Sequence, residues 1–170
     1  MNLTLYPDPR LRRKTRVVDP SHPSLPQLVE DLFETMVASD GVGLAANQVG
    51  LDVRVAVIDL SVGRDPREPR VLINPKIVEL KGDVEEEEGC LSLPGLRART
   101  RRAAEARVQA VGIDAVPFEL EADGLLAKAI QHEVGHLDGR LFIDYLPQAQ
   151  KVLAAGKLKK MKRDWARSEP

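Results

Sequence analysis

The order of apolar and polar positions divides the chain into a helix, a run of short strands and two further helices. Leu25, Leu28, Leu32 and Met36 form one stripe, and Val29, Phe33 and Val37 form a second beside it, the spacing of a helix with one buried face. Ser24 stands at its N-cap position with Gln27 three residues on, as in a capping box, and Asp40-Gly41 supplies the stop. Strand-like segments follow at residues 53–60, 71–73 and 76–80, then at 105–110 and 117–121 around a turn at Gly112-Ile113-Asp114. Residues 63–69, with Arg64, Asp65, Pro66 and Arg67, read as a polar hairpin tip. A second helix is predicted from an N-cap at Asp123 to Leu137, closed by Gly139, and a third from Gln148 to Trp165, interrupted at Gly156. Helix, strands, then helices, without βαβ alternation, predict an α+β fold.

Composition narrows the class of protein. A chain of 170 residues is long enough to bury a hydrophobic core as one domain. With 25 Lys+Arg against 26 Asp+Glu the net charge is −1, so no global basic field points to nucleic acid. No apolar run is long enough to span a bilayer. The N-terminus lacks a basic segment followed by an apolar one, so a cytoplasmic protein is expected. The single cysteine, Cys90, rules out an intrachain disulfide and leaves three roles: buried ballast, nucleophile or metal ligand.

The strongest chemical signal lies in the second helix, at Gln131-His132-Glu133-Val134-Gly135-His136. Residues four apart share a helix face, so His132 and His136 can present both imidazoles to one metal ion. Glu133 projects about 100° further round the axis, where it can serve a metal-bound water as a proton carrier. Leu125 and Ala129 continue the face of the histidines, which is expected to look inward. A catalytic centre needs a third protein ligand. Asp138 and Asp144 are candidates, and so is Cys90, whose flanking Gly89 permits an unusual backbone path. A Cys-His nucleophilic pair is the competing chemistry, but it leaves the paired histidines and Glu133 unexplained. Gly41-Val42-Gly43-Leu44-Ala45-Ala46-Asn47-Gln48 reads alone as a glycine-rich turn, and it lacks the ending of a phosphate loop.

Taken together, Gly41 to Gln48, Glu88-Gly89-Cys90-Leu91-Ser92 and Gln131 to His136 resemble peptide deformylase. Tyr6-Pro-Asp-Pro-x-Leu-Arg12 and residues 120–126 are similar to that family too, and the likeness covers most of residues 1–147, leaving 148–170 as a basic helical tail of the same domain. The resemblance implies short antiparallel or mixed sheets around a central helix that carries the two histidines, flanked by N- and C-terminal helices. It implies one divalent metal on Cys90, His132 and His136: iron(II) in the cell, with zinc, nickel or cobalt as substitutes. The implied substrate is the N-formylmethionyl end of a nascent chain, and formate is released. Metal-bound hydroxide would attack the formyl carbon, with Glu133 as general base and then acid. Gln48 and the Leu91 N–H would meet the oxyanion. Val42, Gly43, Glu88, Gly89, Leu125 and Ala129 would bind substrate, Gly43 and Gly89 by pairing with the peptide as an added strand.

Gly135 departs from the family, which usually carries Asp there; the loss is expected to leave a basic residue of 97–102 unpaired. Residues 85–88 read as a solvated acidic run, with Glu88 placed to touch the groove or pair with Arg97. The tail from Lys151 carries seven Lys/Arg against Asp164 and Glu169, a local +5 that suits docking on a ribosome. Two other classes stand against this reading: a small His-Glu-x-x-His peptidase, and a non-enzymatic ribosome-associated homologue whose only support is Gly135.

Overall fold

The computed structural model describes residues 1–65 and 69–168. Helix α1 (Leu25–Ala38) precedes strands β1 (Gly43–Ala45), β2 (Val55–Ile58), β3 (Arg70–Lys81), β4 (Val84–Gly89), β5 (Arg97–Arg102), β6 (Glu105–Val111) and β7 (Pro117–Asp123), with helices α2 (Gly124–Leu137) and α3 (Gln148–Ser168) after them. One antiparallel sheet has the order β1-β2-β3-β6-β7 and a second pairs β4 with β5. The fold is α+β, as expected. Helix α1 packs Leu25, Val29, Leu32 and Met36 against Leu44, Val55, Val57 and Ile73. Helix α2 packs Ala129, Ile130 and Val134 against Ile58, Leu72, Val108 and Ala110.

Helix α1 starts and stops by means other than those expected. The capping box of α1 does not form: the Ser24 hydroxyl meets His22 Nδ1 at 2.8 Å, and the Gln27 amide donates forward to Asp31 at 3.0 Å. A proline in the first turn, Pro26, starts the helix instead, since its φ is already helical and it has no N–H to satisfy. At the other end Asp40, rather than Gly41, takes the left-handed backbone at φ 54°. Helix α2 closes as predicted: Gly139 has φ 74°, its N–H reaches the His136 carbonyl at 2.9 Å, and the Arg140 N–H reaches the Gly135 carbonyl at 2.8 Å. Helix α3 is not broken at Gly156, because Ala154, Leu158 and Met161 hold one stripe against Leu93, Leu96, Phe142 and Leu146.

Among the strands, β3 runs through Pro75 instead of dividing there; Asn74 at φ 52° and a register shift between Ile73 and Lys76 absorb the missing ladder donor as a bulge. Strand β2 is shorter than expected, and in the β6–β7 turn Ala115 carries the positive φ. The glycine-rich turn is partly strand, Gly43 facing Ile58 across the ladder. The acidic run is not simply solvated. It is β4, paired with β5 so that Glu85 faces Arg101 and Glu87 faces Arg99. Opposite charges across the ladder stabilise a strand that carries no apolar stripe. Of the polar tip at 63–69, Pro66, Arg67 and Glu68 lie outside the described residues.

Candidate metal centre

Helix α2 sets His132 and His136 one turn apart, their Nε2 atoms separated by 3.1 Å. Cys90 directly follows β4, and its Sγ lies 3.2 Å from His136 Nε2. The three donor atoms all lie within 4.8 Å of one another. Lone pairs converging this closely repel unless a proton or cation sits among them. Two imidazoles and one thiolate fit a divalent metal with a position left open for water or substrate. Asp138 and Asp144 are engaged elsewhere, with Arg54 at 2.8 Å and Arg12 at 3.0 Å respectively.

Glu88 completes the centre from behind. Alternation along β4 turns Glu85 and Glu87 outward and Glu88 inward, where it is 5% exposed. Its carboxylate contacts His132 Nδ1 and accepts from Arg102 at 2.7 and 3.0 Å and from the Thr100 hydroxyl at 2.5 Å. Arg102 in turn lies 4.1 Å from the Tyr145 ring centre. Arg97 does not pair with Glu88; it faces outward to Glu87 at 2.7 Å. The expected unpaired cation opposite Gly135 is also absent among the described residues. Arg97, Arg99, Arg101 and Arg102 all have acidic partners on or just before β4.

Charge in this cluster follows from burial and proximity. Burial opposes a charged His132, but the Cys90 sulfur and the Glu88 carboxylate outweigh it and hold its pKa well above the ordinary value. Burial and the neighbouring His132 drive His136 well below it. Burial pushes the Glu133 carboxyl up to about 7, and its Oε2 has no hydrogen-bond partner among the described residues. A buried carboxyl without a committed partner, with a pKa near neutrality, is suited to accepting and returning a proton.

Gln48 is 1% exposed and fixed through its carbonyl oxygen, which accepts from the Ala45 N–H at 2.8 Å. That bond turns its amide nitrogen toward Cys90 Sγ at 3.5 Å and the Ser92 hydroxyl at 3.3 Å. Gly43 has a steric reason to be glycine: a Cβ there would run into the Glu133 carboxylate. A cavity of about 410 Å³ borders Val42, Gly43, Gln48, Glu88, Gly89, Cys90, Leu91, Leu125, Ala129, His132 and Glu133. His136 stands behind it. Leu125 is 48% exposed at the first turn of α2, so the predicted inward face begins only at Ala129.

Lys128 also lines the cavity and bridges α2 to β4, donating to Glu86 at 2.8 Å and to the Glu87 carbonyl at 3.3 Å. Neither it nor the Thr100–Arg102 support was expected. The signal for the latter was the alternation in Arg97-Ala-Arg-Thr-Arg-Arg102, which buries Ala98, Thr100 and Arg102 on one face.

A cysteine sulfur and two helix-borne imidazoles around one point, with a buried carboxyl between the two imidazoles in sequence, are the residue types from which a metallohydrolase centre can be built. Comparison with known proteins identifies the family. The sequence profile described as polypeptide deformylase matches residues 1–152. Peptide deformylase from Plasmodium falciparum superposes with a TM-score of 0.95 at 32% identity, covering 99% of each chain. The Legionella pneumophila enzyme is 42% identical, with a TM-score of 0.87 over 99% of this chain and 98% of that one. The Synechococcus elongatus enzyme, solved with actinonin, is 35% identical with a TM-score of 0.86, covering 98% and 88%. The chain belongs to the polypeptide deformylase family.

Proposed function

We propose that the protein hydrolyses the N-formyl group from the formylmethionine that begins nascent polypeptides, consuming water and releasing formate and a free amino terminus. The observation that carries this reading is the convergence of Cys90, His132 and His136 beside the buried Glu133 carboxylate, whose Oε2 has no hydrogen-bond partner among the described residues. A divalent cation on those three ligands supplies positive charge that acidifies water and polarises the formyl carbonyl. Iron(II) is the proposed ion in the cell, with zinc, nickel or cobalt able to substitute, because this mixed donor set does not select among them.

The chain's own residues supply the rest. Glu133 accepts the proton of the attacking water and delivers it to the departing amine nitrogen. The Gln48 amide and the Leu91 N–H donate to the oxygen that gains charge as the formyl carbon becomes tetrahedral. Strands β1 and β4 each end a sheet order and border the same cavity, so a peptide can lie extended between Val42-Gly43 and Glu88-Gly89. Leu125 and Ala129 flank the space for the methionine side chain. Glu88 acts there through His132, which it orients. The basic α3 supports docking on the ribosome, and a cytoplasmic setting follows from that substrate.

The test is formate release from a formyl-Met tripeptide by protein prepared without oxygen and loaded with iron or nickel. Rapid release that is lost in Glu133→Ala, with metal content unchanged, is the expected result. No release from a fully metallated wild-type protein would overturn the reading.

A further inference from the structure

The two histidines are oriented by different means. A metal-bound imidazole ordinarily donates its second ring nitrogen to a carboxylate, carbonyl or water, which fixes the ring. His132 has that arrangement, with Glu88 at its Nδ1. The His136 Nδ1 is buried and has no partner among the described residues. Its ring hydrogen bonds run through Nε2 to Cys90 and His132, so among the described residues no hydrogen bond on the far side orients the ring. That leaves packing and the backbone to set its place.

Asn47 grips that backbone. It is 3% exposed in the 3-10 turn Ala46–Val49, and its Nδ2 donates to the His136 carbonyl at 2.6 Å. This carbonyl lies in the last turn of α2, where the helix itself provides no N–H four residues on, and it is shared with the Gly139 N–H. The Asn47 Oδ1 is buried without a partner among the described residues. An amide held half-satisfied in a dry environment is costly, and an apolar side chain would avoid that cost. The donor half is therefore what the position requires. The next residue, Gln48, reaches the Cys90 sulfur. One short turn thus holds two of the three ligand-bearing segments at a fixed separation.

We infer that Asn47 is a positioning residue for the metal centre, setting His136 against Cys90 through the His136 carbonyl. The inference rests on the metal-site reading above. Cobalt(II) is the probe, because its thiolate charge-transfer band reports the Cys90 bond and its d–d bands report ligand geometry. Cobalt-loaded Asn47→Ala is expected to keep the charge-transfer band, shift the d–d bands and release cobalt to a chelator roughly 10- to 100-fold faster. The kcat for a formyl-Met tripeptide should fall, with KM little changed. Asn47→Ser, which retains a shorter donor, should lie between the two and serves as the decisive variant if Asn47→Ala does not fold. Wild-type spectrum and release rate in the variant that folds, with only the melting temperature lowered, would reduce Asn47 to a structural role and overturn the inference. A wild-type protein without a thiolate band would overturn the metal-site reading itself.

Discussion

Gly135 sits inside α2 between the two histidines, and replacing it with alanine should stabilise the protein. A glycine in a helix interior costs about 1 kcal/mol relative to alanine, because it surrenders more backbone freedom on folding. Elsewhere in a core this gain is often cancelled by overpacking. Here it is not: a Cβ built on Gly135 meets nothing within 4 Å apart from its chain neighbours Val134 and His136 and the backbone of its own helix. With no other neighbour inside that distance, dispersion adds little and no strain subtracts. The helix-propensity gain stands nearly alone, so Gly135→Ala should be about 1 kcal/mol more stable. For a chain of this length that raises the melting temperature by about 2–4 °C. The comparison must be made at one fixed metal concentration and loading, since a ligand that binds only the folded state adds its own stabilisation. Thermal unfolding followed by circular dichroism, with metal content checked on the same samples, reads the shift. A melting temperature below that of the wild type would show that the space beside Gly135 is not open and would refute the reasoning.

Gly43→Ala should have the opposite outcome, because its Cβ collides with the Glu133 carboxylate: deformylation is expected to fall at least tenfold at normal metal content, and unchanged kinetics would refute the contact. Glu88 bears on acid stability. Its burial is outweighed by His132 and Arg102, so its folded pKa lies well below the ordinary carboxylate value and the unfolded chain binds the extra proton as pH falls. The stability it contributes is present above the carboxylate range and lost on acidification through it. Urea titrations of metal-free protein from about pH 6 to pH 3 should therefore show a flatter acid limb in Glu88→Gln, and parallel limbs would argue against the assignment. On α3, exchanging exposed Lys159, Lys160 and Arg163 for Glu should abolish co-sedimentation with ribosomes at low salt while hydrolysis of a free tripeptide is unchanged; persistent co-sedimentation would remove the helix as the docking element.

What could be read from the sequence follows from which forces leave a linear trace. The helices were legible because a buried stripe repeats every three to four residues, and α1 and α2 were placed to within a few residues of their ends. The ends depended on local competition that the pattern does not encode. Gln27 chose Asp31 over the helix N-terminus, and α3 ran on through Gly156 because Ala154, Leu158 and Met161 were packed on either side of it. Strands β4 and β5 left no apolar trace at all, since Glu-to-Arg pairs across the ladder do the work that apolar residues usually do. The same distinction runs through the candidate site. His132, Glu133 and His136 could be named because ligand chemistry restricts a position to few residue types and α2 fixes their spacing, whereas Cys90 was one of three candidate third ligands until the family resemblance singled it out. Thr100, Arg102 and Asn47 are ordinary surface types whose burial is created by the fold, so nothing in their identities marked them. Beyond the alternation along β5, the feature that could have exposed them is relational: an arginine or asparagine taken out of water needs a compensating partner. Finding Arg102 on Glu88 and Asn47 on the His136 carbonyl shows where those partners are. The residues that would hold the ion are thus readable one at a time, whereas those that would hold the ligands can be read only in pairs.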